Sequence, residues 1–218
     1  MPGTLLYDAA SERLRRPPSG PLHLHVHGNG LRAFVVGDVL RRVLTRRRHR
    51  VLTTRSGPPP QGWRPADCNI PDFGEGDPAT AHVVVAERPV PASHLVLTPG
   101  LERIPADADP VTLRLALLRT RYREPVNIAD ELKAARPQLE RWRALMARWA
   151  GSPGKPLHRP SVEEAEAALD DDLDTPAALA VLERLADDPD VAPGAKLETF
   201  IHMDLLLAVD LVSEIGRR

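Results

Sequence analysis

Cysteine is nearly missing from this chain: Cys68 is the only one in 218 residues. A single thiol excludes an intrachain disulfide framework and any multi-thiolate metal site. On its own, such a thiol reads as an ordinary packing residue rather than a nucleophile. Aromatic residues make up only 4%, and none interleaves with the arginines between Arg41 and Arg50, so base stacking is not indicated there. An excess of one charge is also missing. The formal net charge is −1, which excludes attraction of a polyanion by the bulk field and leaves only local patches. Lysine is scarce beside abundant arginine and proline, a pattern that points to coding bias more than to mechanism. No apolar run approaches membrane-span length, and the N-terminal MPGTLLYDAASERLRR has no apolar signal core. The expectation is a soluble, cytoplasmic protein with no membrane partner.

What is present divides into two parts. Leu22 to His27 (LHLHVH) alternates strictly and reads as a strand. Gly28-Asn29-Gly30 makes a tight turn, and Leu31 to Leu44 reads as a buried helix, apolar on most of its circumference. Arg50 to Thr54 reads as a second strand. This β–turn–α–β pattern predicts a parallel sheet with a right-handed crossover. Ser56 to Pro78 is rich in proline and glycine and has no period, the mark of a long irregular segment. Ala81 to Ala86 and His94 to Leu97 read as short apolar strands. From Asp109 onward the pattern is helical: Pro110 to Arg121, then Ile128 to Arg136, with Pro137 expected to kink or restart the helix. Leu139, Trp142, Leu145, Met146 and Trp149 form a core stripe. Ser161 with Glu164 fits a capping box, and a last helix is predicted from Ala195 to Ile215. The fold class is therefore α/β followed by all-α, with residues 1–105 as the sheet part and 106–218 as a helical bundle.

Five constellations carry chemistry. In Leu169 to Leu182 (LDDDLDTPAALAVL), Thr175 can cap a helix, Pro176 suits its first position, and the acidic run lies at the positive end of its dipole. Asp170, Asp171, Asp172 and Asp174 could attract a cation, but their spacing is not that of an EF-hand loop, and capping is favoured. His23, His25 and His27 share one strand face, about 6.5–7 Å apart in succession. They are candidate zinc, nickel or copper ligands that would need a fourth, such as His82 or His94; a polar sheet face lining a cleft is the favoured alternative. His27, Gly28, Asn29 and Gly30, at a strand end before a helix, are a candidate phosphate or nucleotide site, although tight turns need glycine in any case. Arg41, Arg42, Arg46, Arg47 and Arg48 form a basic cluster at a helix C-terminus. Solvation and dipole pairing are the favoured reading, and a patch for RNA or an acidic partner is the functional one. Trp63, Cys68 and Phe73 lie in the proline-rich segment, where they either anchor it or plug a cleft or dock a partner.

Four segments, in order, resemble cysteinyl-tRNA synthetases. They are LYDAASERLRR (Leu5 to Arg15), LRAFVVGDVLRRVL (Leu31 to Leu44), DPVTLRLALLRTRYREPVN (Asp109 to Asn127) and DDDLDTPAALAVL (Asp170 to Leu182). The sister branch, which joins cysteine to an amino sugar in mycothiol synthesis, shares these features. The resemblance implies a small Rossmann-like sheet of the class I synthetase type, a helical stem, and ATP or zinc as the family's cofactors. It also exposes departures. Either His27 matches the first HIGH histidine, with Gly30 in place of the second, or His27-Gly28 matches the family's Cys-Gly and the loop with HIGH is deleted. The second alignment keeps the strand end in register. No KMSKS precedes Asp109, and the zinc-bearing insert is reduced to Ser56 to Pro78 and two short strands. Activation of an amino acid needs positioned charge on a nucleotide phosphate, and few groups remain to supply it. The expectation is a truncated, non-aminoacylating relative that binds a protein (itself included), tRNA or a small nucleotide-like ligand. The alternative is an active ATP-dependent cysteine ligase with rearranged catalytic groups.

Overall fold

A computed structural model describes residues 3–58, 62–88, 90, 95–99, 104–105 and 107–216. Leu6–Asp8 (β1) and Arg13–Arg15 (β2) form an antiparallel hairpin. The parallel sheet follows: Leu22–His27 (β3), Val51–Ser56 (β4), Gly74–Glu75 (β5), Val83–Ala86 (β6) and Leu95–Leu97 (β7), in the order β5-β4-β3-β6-β7; β5 is a short edge strand within the segment expected to be irregular. β3 is central because both faces of its alternation find a use. Leu22, Leu24 and Val26 are buried beneath the crossover helix Leu31–Arg46 (α1), and the histidines face the other way. His94 lies outside the described residues.

α1 approaches β3 closely at Gly37, where a Cβ would lie 2.6 Å from Val26 Cγ2. Gly37→Val is therefore expected to cost stability at the upper end of the roughly 1–3 kcal/mol of an overpacked core. Urea unfolding measures it, and an unchanged midpoint would show that helix and strand can separate freely.

The helical part comprises Pro110–Leu118 (α2), Ile128–Trp149 (α3), Arg159–Asp170 (α4), Thr175–Asp187 (α5) and Pro193–Leu207 (α6). One buried cluster runs from Leu24 and Val26 through Phe34 and Leu40 to Trp142 and Phe200. No helix among the described residues is long and apolar enough to cross a membrane.

Several local expectations change. Pro137 lies inside an uninterrupted α3. Proline removes one backbone hydrogen bond there. Leu139, Trp142, Met146 and Trp149 nevertheless stay buried along one side, with Trp142 and Trp149 edge-on to Phe200 at 5.6 and 5.2 Å, and this packing keeps both halves in one helix. The last helix stops at Leu207 although its apolar pattern continues. Ala208 turns left-handed, and the Asp204 carboxylate accepts from the Val209 and Leu211 amides, replacing the bonds that another helical turn would make. Ser161 is not an N-cap: α4 begins at Arg159, and the Ser161 hydroxyl meets His158 Nδ1 at 2.9 Å. Its partner in the expected box, Glu164, instead pairs with Arg184. The proline-rich segment is anchored by its apolar residues. Cys68, Ile70 and Phe73 are buried, Trp63 packs against the core, and Phe73 stacks on Phe34 at 5.9 Å.

Candidate functional site

In an open parallel sheet the ligand crevice lies beyond the strand carboxyl ends, where the strand order reverses. Here the chain runs outward from β3 to β4 and β5, then returns to β6 on the other side of β3. The reversal places the ends of β3 and β6, and with them the predicted His27, Gly28, Asn29 and Gly30, where such a topology holds its ligands. Gly28 adopts φ +116°, a conformation costly for any side chain. Its amide donates to the Ser56 carbonyl. Gly57, also at positive φ, comes so near that a Cβ there would be 3.3 Å from the Gly28 carbonyl. Backbone packing alone thus requires these glycines.

Gly30 is the N-cap of α1 but offers no side chain, and the first turn of α1 contains no acidic residue. The negative charge arrives from outside. Glu87, directly after β6, places its carboxylate on the Gly30 amide and also crowds Gly28. The chain's own anion therefore sits where a phosphate would meet the helix N-terminus. Nothing in the sequence marks Glu87 as a site residue. It follows an apolar strand, and only the β3–β6 pairing brings it to Gly30.

The three histidines form a line along β3. Thr54 Oγ1 bridges His23 Nε2 (2.6 Å) and His25 Nδ1 (2.8 Å). Ser56 Oγ bridges His25 Nε2 and His27 Nδ1, both at 2.8 Å. His25 is fully buried; burial and its two imidazole neighbours pull its pKa down to about 4, so it is neutral at physiological pH. His82 Nδ1 accepts from the His23 backbone amide. The rings are thus brought together in a row rather than around a point. Among the described residues no group of three or more His, Cys, Asp or Glu side chains could hold a metal ion.

Three of the five arginines, Arg41, Arg42 and Arg47, turn inward, while Arg46 and Arg48 stay exposed. Arg41 and Arg42 pair with buried Asp38, and Arg42 also donates to the Leu205 and Asn69 carbonyls. Arg46 and Arg47 meet Glu166, and Arg47 reaches Asp170 as well. The fifth arginine, Arg48, adopts the left-handed conformation just after the helix. Asp38 carries the deepest pair: Arg114 Nη2 lies 2.8 Å from its Oδ2, with both side chains fully buried. Burial alone would raise the Asp38 carboxyl, but Arg114 and Arg42 hold it below its usual value.

The acidic segment is a fastener. Asp170 ends α4 rather than preceding α5, so most of the run lies between two helices and not at the start of one. Asp174, not Thr175, is the N-cap of α5, accepting from the Ala177 amide, and it also receives Arg121. Thr175 instead donates to the Leu118 carbonyl. Asp172 accepts from the Tyr7 amide, the Tyr122 hydroxyl and Arg123, while Asp170 accepts from Thr4. Asp172 and Leu173 are both left-handed, a costly turn sustained by these contacts. The acidic run therefore ties the N-terminal strand and the Arg121–Arg123 segment to the bundle.

No family model matches the chain. Curated proteins do. The L-cysteine:1D-myo-inositol 2-amino-2-deoxy-alpha-D-glucopyranoside ligase of Streptosporangium roseum is 37% identical over 116 residues, which is 51% of this chain and 28% of that enzyme. The same ligase from Streptomyces griseus is 47% identical over 79 residues, 36% of this chain and 18% of the enzyme. That of Thermobifida fusca is 40% identical over 115 residues, 49% and 26%. The match thus spans no more than 28% of the length of these relatives. Over the matched segments, the chain is homologous to cysteine ligases of the cysteinyl-tRNA-synthetase-like class I family.

Proposed function

We propose that this chain is a binding or regulatory relative of the cysteine ligases that does not itself activate cysteine. The observation that carries this reading is the Glu87 carboxylate on the Gly30 amide. A fixed negative charge at the start of α1 opposes a nucleotide phosphate at the position where the fold would hold one. The described residues do not fit zinc either. Cys68 is buried with its thiol pushed up to about 11, and the histidine nitrogens between β3 and β4 are engaged by hydroxyls. Because Arg46 and Arg47 are matched by Glu166 and Asp170, and Arg41 and Arg42 share the Asp38 carboxylate with Arg114, these side chains are held in internal pairs, which favours a protein partner or a second copy over tRNA.

Cysteine-dependent pyrophosphate exchange by the purified, metal-replete chain tests the proposal. No exchange above background is expected, and robust turnover would establish the active-ligase alternative that the relatives favour. Glu87→Ala provides the second arm. Freeing the helix terminus is expected to tighten ATP binding roughly tenfold, equivalent to about 1.4 kcal/mol. Calorimetric titration with ATP reads this, and an unchanged affinity would remove Glu87 from the argument.

A further inference from the structure

The bonds between β3 and β4 have a direction. The Thr80 carbonyl, 3.1 Å from His23 Nδ1, can only accept, and the Thr80 hydroxyl, 3.3 Å from the same nitrogen, donates its hydrogen to the Asp77 carbonyl, so His23 Nδ1 carries a hydrogen. In the neutral ring, Nε2 is then an acceptor and takes the Thr54 hydroxyl proton. Thr54 Oγ1 in turn accepts from His25 Nδ1–H, whose Nε2 takes the Ser56 proton. Ser56 Oγ accepts from His27 Nδ1–H. The Thr80 and Asp77 carbonyls thereby set all three rings to the same tautomer. His27 Nε2, at the carboxyl end of β3, is left as a lone pair.

We propose that this ladder is a proton relay, in which His27 Nε2 takes a proton from an N–H or O–H group bound in the crevice and the positive charge appears on His23 at the other end of the strand. The step balances atom by atom. As His27 Nε2 gains a proton, its Nδ1 proton passes to Ser56 and the Ser56 proton to His25 Nε2. The His25 Nδ1 proton passes to Thr54 and the Thr54 proton to His23 Nε2. His25 is neutral before and after, as its burial demands. Charged His23 has an acceptor for each ring N–H, the Thr80 carbonyl and Thr54 Oγ1. The groups around the row are Asp77, whose field favours positive charge at His25, His82 against the His23 backbone, and Glu87 beside Gly28. The relay does not depend on whether the crevice belongs to an enzyme, and so it goes beyond the functional proposal.

The test uses the full chain with 15N-labelled histidine and long-range 1H–15N spectra from about pH 8 to about pH 5, the range in which imidazoles change charge. At the upper limit all three rings are expected as Nδ1–H tautomers. On acidification His23 becomes doubly protonated, while His25 and His27 switch to Nε2–H. In Ser56→Ala the relay is cut: His25 keeps Nδ1–H and His27 itself becomes the charged ring. An Nε2–H tautomer of His25 at the upper limit, or a wild-type His25 that never switches, overturns the proposal. The wild-type spectrum decides this even if the variant does not fold.

Discussion

Asp38→Ala is expected to destabilise the chain by about 3–5 kcal/mol, the range for breaking a buried ion pair from one side. The cost arises at Arg114, not at the position changed. Arg114 is fully buried, and its guanidinium is held by Asp38 and by the Leu207 and Cys68 carbonyls. Arg41 and Arg42 are partly exposed and can turn to solvent when the carboxylate goes. Arg114 cannot, and its charge remains in the core with carbonyl oxygens alone. This pair joins α1 to α2 and to the end of α6, so its loss loosens the sheet part from the bundle. Replacing both partners, as in Asp38→Leu with Arg114→Met, is expected to recover most of the loss, because well-packed apolar residues avoid the desolvation of both charges. Denaturant unfolding of the single and double variants measures the difference. A single variant within about 1 kcal/mol of wild type would mean that water reaches Arg114.

Trp142→Ala is expected to cost a similar amount, about 3–5 kcal/mol, by opening a large cavity. Trp142 is fully buried in α3 and edge-on to Phe200 of α6. It also secures the half of α3 that follows Pro137, so loss of helicity should accompany the loss of stability and be visible by circular dichroism. Trp142→Phe is expected to cost much less, under about 2 kcal/mol. The indole Nε1 has no hydrogen-bond partner among the described residues, so phenylalanine removes an unsatisfied donor along with some packing. Equal losses from the two variants would show that the indole N–H has a hidden partner.

Much of the fold is legible along the chain because it depends on local periodicity. LHLHVH can alternate only as a strand, Leu31 to Leu44 can be buried only as a helix, and the glycines between them permit the turn. The stripe Leu139 to Trp149 likewise declares a buried helix face. The errors fall where a side chain's partner is distant in sequence. Pro137 is a breaker by local rules, yet packing against α6 carries the helix through it. Leu205 to Ile215 keeps a helical pattern, yet Asp204 captures the amides that follow.

The residues of the candidate site divide in the same way. His23, His25 and His27 are visible as a row in the sequence, but Thr54 and Ser56 join them only through the β3–β4 register. Arg46 and Arg47 at the end of α1 read as a basic patch until Glu166 and Asp170 of α4 are folded against them. Glu87 gives no local signal at all. Its meaning comes from following β6 beside the start of α1.

By itself, then, the sequence determined the main strands and helices of the core, their order and the lineage, because periodicity and turns act between near neighbours. Only the tertiary structure decided which charges are paired and what occupies the start of α1, because Coulomb and hydrogen-bond energies depend on distances that chain order does not contain.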